Sequence, residues 1–218
     1  MKKLIFFDFD STLVNNETID ELAKEAGVEK KVKEITKKAM NGEIDFKKAL
    51  EERVKLLKDL PIEKVNKAID RITLTEGAKE TIEELKRRGY LVAVISGGFD
   101  IAVDKFKDKL NIDYAFSNTL IIKDNKLTGE VVENVIDKGE VVENLAKKLN
   151  IPLKNVIVVG DGANDISMFE KAGLRIAFCA KPILKEKADI CIEKRDLREV
   201  LKVLEERDYD VKGDSKRD

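Results

Sequence analysis

Residues 3–14 read KLIFFDFDSTLV, from Lys3 to Val14, and the rest of the chain is organised around them. Leu4, Ile5, Phe6 and Phe7 form an unbroken apolar run, the pattern of a short strand buried on both faces. The run stops at Asp8, and Asp10, Ser11 and Thr12 continue as a polar loop. Carboxylates therefore stand at the end of a core strand. In an extended segment Asp8 and Asp10, two residues apart, project to the same side, and two crowded negative charges call for a cation between them. An Asx-type turn explains one such aspartate, but not the whole FDFDSTL string.

Downstream, residues 15–73 carry helical periodicity only. Candidate helices are Ile19–Ala26, Lys30–Met40, Asp45–Leu57 and Ile62–Arg71, punctuated by Gly27, Gly42 and Pro61. Beyond them helices and strands alternate. The helices are Ala78–Arg88, Ile101–Leu110, Lys138–Leu149, Ala163–Ala172, Pro182–Ala188 and Leu197–Glu206. The strands are Leu91–Ser96, Tyr114–Ser117, Val156–Val159, Arg175–Phe178 and Ile190–Ile192, with a polar hairpin of Thr119–Ile122 and Lys126–Gly129 around Asp124-Asn125. Repeated β and α units imply a parallel sheet covered on both faces. The expected fold is a three-layer α/β/α, Rossmann-like core made of residues 1–14 and 74–206, with a small helical cap, residues 15–73, inserted after the first strand. Residues 207–218 are nearly all charged or small and are expected to be disordered.

In such sheets ligands collect beyond the carboxyl ends of the strands. Three polar stretches fall there: Asp8–Thr12, Ser96-Gly97-Gly98, and Gly160-Asp161-Gly162-Ala163-Asn164-Asp165. Asp8, Asp161 and Asp165 offer hard oxygen ligands suited to Mg²⁺. Gly160 and Gly162 allow a sharp turn close to a ligand, and Asn164 or Asp165 also reads as a plain helix cap. A carboxylate beside a metal ion and amide donors can attack phosphorus. Spacing alone does not say whether Asp8 or Asp10 is that nucleophile.

Composition bounds the partners. The 218 residues include 42 basic and 43 acidic side chains, a net charge of −1, so no nucleic-acid partner is implied. No apolar run approaches membrane-spanning length, and the apolar start after Met1-Lys2-Lys3 is cut by Asp8 too soon for an export signal. Cys179 and Cys191 sit in apolar runs and read as buried free thiols, consistent with a cytoplasmic location. The chain has no histidine, which excludes serine–histidine triads and histidine metal sites.

Asp8-Phe9-Asp10-Ser11-Thr12, Ser96-Gly97-Gly98, Lys138 and Gly160–Asp165, in that order, resemble the four motifs of the haloacid dehalogenase superfamily of phosphohydrolases. The resemblance runs from about Lys3 to Lys202. Within the superfamily, FDFDSTLV, ISGGFD and VGDGANDISM are most similar to the phosphoserine phosphatase family. That likeness implies a Mg²⁺-dependent phosphomonoester hydrolase that releases phosphate from L-phosphoserine, the last step of serine biosynthesis, through an aspartyl-phosphate. It implies Asp8 as nucleophile, Asp10 as acid and base, and Lys138 as the charge that offsets the phosphoryl group. By the same likeness Ser96, Gly97 and Asn164 hold substrate, while Asp8, Asp10, Asp161 and Asp165 surround Mg²⁺. Glu17 would meet the substrate ammonium and Arg53 its carboxylate, with Met40 and Phe46 lining the same cavity. Without the family, Glu17 reads as a helix-start residue and Arg53 as a solvated side chain.

The motifs leave two other readings open. One is a phosphatase or phosphotransferase for another small phosphometabolite, because similar cores differ chiefly in their caps. The other is a phosphate-binding protein without turnover, against which stands the intact set Asp8, Asp10, Ser96 and Asp161. The insertion leaves and re-enters the core beside the carboxylates, so it is expected to act as a lid that excludes water and selects the leaving group. Monomer and homodimer remain equally open on the sequence.

Overall fold

Leu4, Ile5, Phe6 and Phe7 are fully buried in the computed structural model, which describes residues 3–40 and 43–214. They belong to β1 (Lys3–Asp8), the middle strand of a seven-stranded sheet. The others are β2 (Tyr90–Phe99), β3 (Tyr114–Lys123), β4 (Lys126–Val132), β5 (Val156–Gly160), β6 (Leu174–Phe178) and β7 (Ile190–Ile192), in the order β4-β3-β2-β1-β5-β6-β7. Only the β3–β4 pairing is antiparallel. The period-2 alternation of β1 feeds two apolar layers. Ile5 and Phe7 point to one layer and Leu4 and Phe6 to the other.

Ten helices flank or extend this sheet among the described residues: α1 (Thr18–Ala26), α2 (Glu29–Met40), α3 (Phe46–Lys55), α4 (Ile62–Asp70), α5 (Ala78–Arg87), α6 (Asp100–Lys109), α7 (Lys138–Lys148), α8 (Ile166–Phe169), α9 (Pro182–Lys185) and α10 (Arg198–Asp214). Residues of α7 and α8 pack with Leu4 and Phe6, and those of α5, α6 and α10 with Ile5 and Phe7. Strand order runs outward one way from β1 through β2 and the other way from β5. That reversal opens a crevice at the carboxyl ends of β1, β2 and β5.

The segment between β1 and α5 is helical, as expected from its periodicity. It is tied down at two seams. At its neck Val14 and Leu74 form an antiparallel bridge, backed by Asn15 N–H to Thr73 C=O at 2.9 Å and Thr75 N–H to Leu13 C=O at 3.0 Å. At its far side Asp59 N–H donates to Leu127 C=O at 2.9 Å, Leu127 N–H to Leu60 C=O at 3.0 Å, and Ile62 N–H to Asn125 C=O at 2.9 Å. Leu22, Leu57, Val65 and Ile69 join the same apolar layer as Ile5 and Phe7.

Several expectations are corrected. The strand near Tyr114 and the first arm of the hairpin are one strand, β3, because the polar run Ser117-Asn118-Thr119 continues the ladder with Asn118 buried. Its turn is as tight as expected, with φ of 50° at Asp124 and 58° at Asn125. Cys191 is exposed and Cys179 half-buried, both free, because short β7 leaves its outer side uncovered. The backbone of α10 runs from Arg198 to Asp214 and so overlaps the charged segment 207–218. Residues 215–218 of that segment lie outside the described residues.

Candidate active site

Asp8 closes β1 with 3 % of its surface exposed. Lys138 opens α7 at 4 % exposure. Its position is set by Asp137, which caps the helix by accepting from Gly139 N–H at 2.6 Å. Lys138 Nζ donates to Asp8 Oδ1 and to Asp165 Oδ1, at 2.6 Å each. The other oxygen of the fully buried Asp165 accepts from the N–H groups of Asp161 at 2.9 Å and Gly162 at 3.1 Å. Asp165 is thus a buried ion-pair partner of Lys138 rather than a plain cap. Asp161 Oδ1 accepts from Thr12 Oγ1 at 3.4 Å. The glycine at 160 serves space and not a turn, because a Cβ there would stand 2.5 Å from Asp165 Oδ2.

One oxygen each from Asp8, Asp161 and Asp165 lie within 4.8 Å of one another. These three carboxylates face one ammonium, so the cluster carries excess negative charge. Burial, then the neighbouring Asp165, pushes Asp161 up to about 6. Burial and Asp165 likewise hold Asp8 above the usual carboxylate range against the pull of Lys138. A hard divalent cation on these oxygens would relieve both. The donor set fits such an ion.

The Asp10 carboxylate is not part of this trio. Beyond β1, Phe9–Leu13 forms a wide turn whose interior is not helical, with Asp10 at φ −64° and ψ 134° and Ser11 at φ 58°. That turn carries Asp10 Oδ1 to Thr18, accepting from its N–H at 2.7 Å and its Oγ1 at 2.5 Å. Asp10 Oδ2 accepts from Ser96 Oγ at 3.4 Å. The ammonium of Lys138 bridges Asp8 and Asp165, and its charge also acts on Asp10. Burial raises Asp10 above the usual range in spite of the Thr18 bonds. Gly98 makes room for it, since a Cβ there would meet Asp10 Oδ2 at 2.6 Å.

Asp8, Asp10, Lys138 and Asp161 line a cavity of about 660 Å³ whose walls also include Gly97, Asn164, Glu17, Arg53 and Phe46. Ser96 is fully buried beneath it and accepts from Gly98 N–H at 2.9 Å. Glu17 precedes α1 without a side-chain cap bond, and its carboxylate accepts from Ser11 Oγ at 2.5 Å. Enclosure by the cavity walls, then the charge of Asp10, pushes it up to about 7. Arg53 reaches the same cavity from α3, its guanidinium bonded to Ala49 C=O at 3.0 Å and Thr36 Oγ1 at 3.2 Å. Phe46 is 52 % exposed on the wall. Met40 closes α2, and its side chain lies outside the described residues.

Sequence reasoning missed two residues that hold this geometry. Asn118 Nδ2 donates to Gly97 C=O at 3.0 Å, and its Oδ1 accepts from Asn134 and Val135 N–H at 2.9 Å each. It ties the glycine loop after β2 to the segment leading into Lys138. Arg195 donates to Ser11 C=O at 3.2 Å, to Val14 C=O at 3.3 Å and to Asn15 Oδ1 at 3.0 Å, stapling the loop that carries Asp10. Asp20 and Lys181 also line the cavity and gave no motif signal.

A buried aspartate at the end of the central strand, an ammonium bridging it to a second aspartate, and an oxygen trio fit for a cation define a hydrolase site of the phosphoryl-transfer type. A family model described as haloacid dehalogenase-like hydrolase matches residues 2–173, and the chain belongs to that family. Among its relatives a phosphoserine phosphatase of Methanocaldococcus jannaschii is 70 % identical over 206 residues, 93 % of this chain and 98 % of that one. Another, of Wolinella succinogenes, is 52 % identical, covering 91 % and 98 %. A solved structure described as a substrate-bound phosphoserine phosphatase complex superposes with a TM-score of 0.89 at 70 % identity, covering 93 % of this chain and 98 % of that one. A second, described as a phospho-aspartyl intermediate analogue of phosphoserine phosphatase, has a TM-score of 0.86 with the same identity and coverage.

Proposed function

We propose that the protein is a phosphoserine phosphatase that hydrolyses L-phosphoserine to L-serine and phosphate through an aspartyl-phosphate. The observation that carries this reading is one cavity lined by Asp8 and Lys138 and also by both Glu17 and Arg53. A phosphorylated amino acid matches all of them: phosphate toward Asp8, ammonium toward Glu17, carboxylate toward Arg53.

In this reading a carboxylate oxygen of Asp8 forms a bond to phosphorus as the bond to the serine oxygen breaks, and protonated Asp10 gives its proton to that oxygen. Water then attacks the phosphoryl group, Asp10 takes the water proton, and Asp8 departs as a carboxylate. The raised affinity of Asp10 for its proton suits the first step, and its bonds to Thr18 hold the carboxylate in place. Lys138 offsets the charge that Asp8 and the phosphoryl oxygens share, with Gly97 and Ser96 shaping the loop that meets those oxygens. Asn164 lines the same cavity.

Asp8, Asp161 and Asp165 would hold Mg²⁺, which supplies charge neutralisation and orients the phosphate when bound. Residues 15–73 serve as a cap over the core of residues 1–14 and 74–206. An ion pair of Lys47 on α3 with Glu133 on the core, at 3.5 Å, supports a closed position of that cap. Among the described residues no helix is long and apolar enough to cross a membrane, and the two free thiols suit a cytoplasmic setting.

The test is phosphate release from a panel of small phosphomonoesters with and without Mg²⁺. L-phosphoserine should be turned over fastest and only with the ion. Preference for another member of the panel would replace this reading with that of a phosphatase for a different metabolite.

A further inference from the structure

We infer that Thr36 is a positioning residue for substrate choice: it aims the Arg53 guanidinium at a substrate carboxylate. The inference rests on the phosphoserine reading of the cavity. Arg53 lies on α3 and Thr36 on α2, and both line the cavity. Arg53 Nε donates to Ala49 C=O at 3.0 Å, one turn back on its own helix, while Nη1 donates to Thr36 Oγ1 at 3.2 Å. The Thr36 hydroxyl proton is committed to Val32 C=O at 3.0 Å. Its oxygen therefore meets Arg53 as an acceptor.

A guanidinium carries five N–H donors in one rigid plane. Bonds at Nε and Nη1 to two different helices fix the plane, and Nη2 with the second hydrogen of Nη1 is left for a ligand. Both acceptors are neutral, so neither hydrogen bond pairs the arginine charge, although the carboxylates of Glu17, Asp20 and Asp10 act on it from across the cavity. Glu17 and Asp20 line the same cavity and act on Arg53 through their charge, with no direct hydrogen bond to it among the described residues. A long side chain loses rotamer freedom when it grips a ligand, and orienting it beforehand lowers that cost. Ala49 C=O is a backbone acceptor that any residue supplies. Thr36 is the side chain that sets the orientation.

The experiment compares L-phosphoserine with phosphoethanolamine, which lacks the carboxylate, in the parent, Thr36→Val, Thr36→Ala, Thr36→Ser and Arg53→Ala. Valine keeps the shape and removes the acceptor, and alanine covers the case in which valine fails to fold. We expect kcat/KM for L-phosphoserine to fall about tenfold in Thr36→Val through KM, with phosphoethanolamine changed by less than about twofold. Thr36→Ser should restore the parent value. Equal losses on both substrates, or no recovery in Thr36→Ser, would overturn the inference by making Thr36 a packing residue. Loss of preference in Arg53→Ala but not in the Thr36 variants overturns the role of Thr36 and leaves the phosphoserine reading standing. A parent with no preference between the two substrates overturns both.

Discussion

The ammonium of Lys138 sits 2.6 Å from Asp8 Oδ1 and 2.6 Å from Asp165 Oδ1, with all three side chains almost wholly buried. Taking two carboxylates and an ammonium out of water is costly, and the arrangement holds only because each group has partners. Lys138→Met should leave two buried carboxylates facing each other and cost about 3 to 5 kcal/mol of unfolding free energy, together with activity. Denaturant unfolding checks this. Adding Asp165→Asn should recover part of the stability but none of the activity, and a single variant of parental stability would contradict the account.

Asp8→Asn should abolish phosphate release while leaving the fold intact, because the amide keeps the shape and loses nucleophilicity. Asp10→Asn should lose proton donation, so an aryl phosphate with a good leaving group should suffer less than L-phosphoserine. Steady-state rates on both substrates separate the two roles. Equal losses in Asp10→Asn would assign its carboxylate to holding Thr18 and the loop.

The site carboxylates leave a signature in stability against pH. Asp161 is raised from 3.8 to about 6 and Glu17 from 4.5 to about 7, so between those limits the folded chain binds protons more tightly than the unfolded one. Stability of the metal-free protein should therefore fall as pH rises from about 4.5 to about 7, and level off above. Asp196, lowered to about 2 by hydrogen bonds from Arg198, and Glu21, lowered to about 2 against its burial by hydrogen bonds from Lys24, Arg71 and Asn16, act the other way and only below about 4.5. Thermal unfolding at pH 5 and pH 8 checks the sign. Mg²⁺ should narrow the difference, and a metal-free protein more stable at pH 8 than at pH 5 would contradict the assignment.

What the sequence disclosed is local. The apolar run Leu4–Phe7 ending on Asp8, and the glycine and carboxylate clusters after two later strands, are contiguous signals, and they place the floor of the site. Asn118 and Arg195 carry no such signal because their meaning lies in partners 21 and 184 residues away. Asn118 even misled, its polarity suggesting a break in a strand that its buried amide in fact supports. The polar loop after Asp8 is legible in FDFDST, but the Asp10 partner Thr18, eight residues further on, is not.

Arg195 offers a check on that loop. Arg195→Ala should free the carbonyls of Ser11 and Val14, and hydrogen exchange at residues 11–17 should quicken. Through Ser11 and its bond to Glu17, KM for L-phosphoserine should rise about threefold to tenfold. Lysine should restore little of this, because one ammonium cannot span three acceptors in a fork. Unchanged exchange and KM would make the staple incidental.

The central claim is that one cavity matches the phosphate, ammonium and carboxylate of L-phosphoserine together, and the most direct measurement is kcat/KM for L-phosphoserine against phosphoethanolamine in the parent enzyme with Mg²⁺. Losing the charge-assisted contact to Arg53 should lower efficiency about tenfold to a hundredfold for phosphoethanolamine. Equal efficiency on the two substrates would contradict the account.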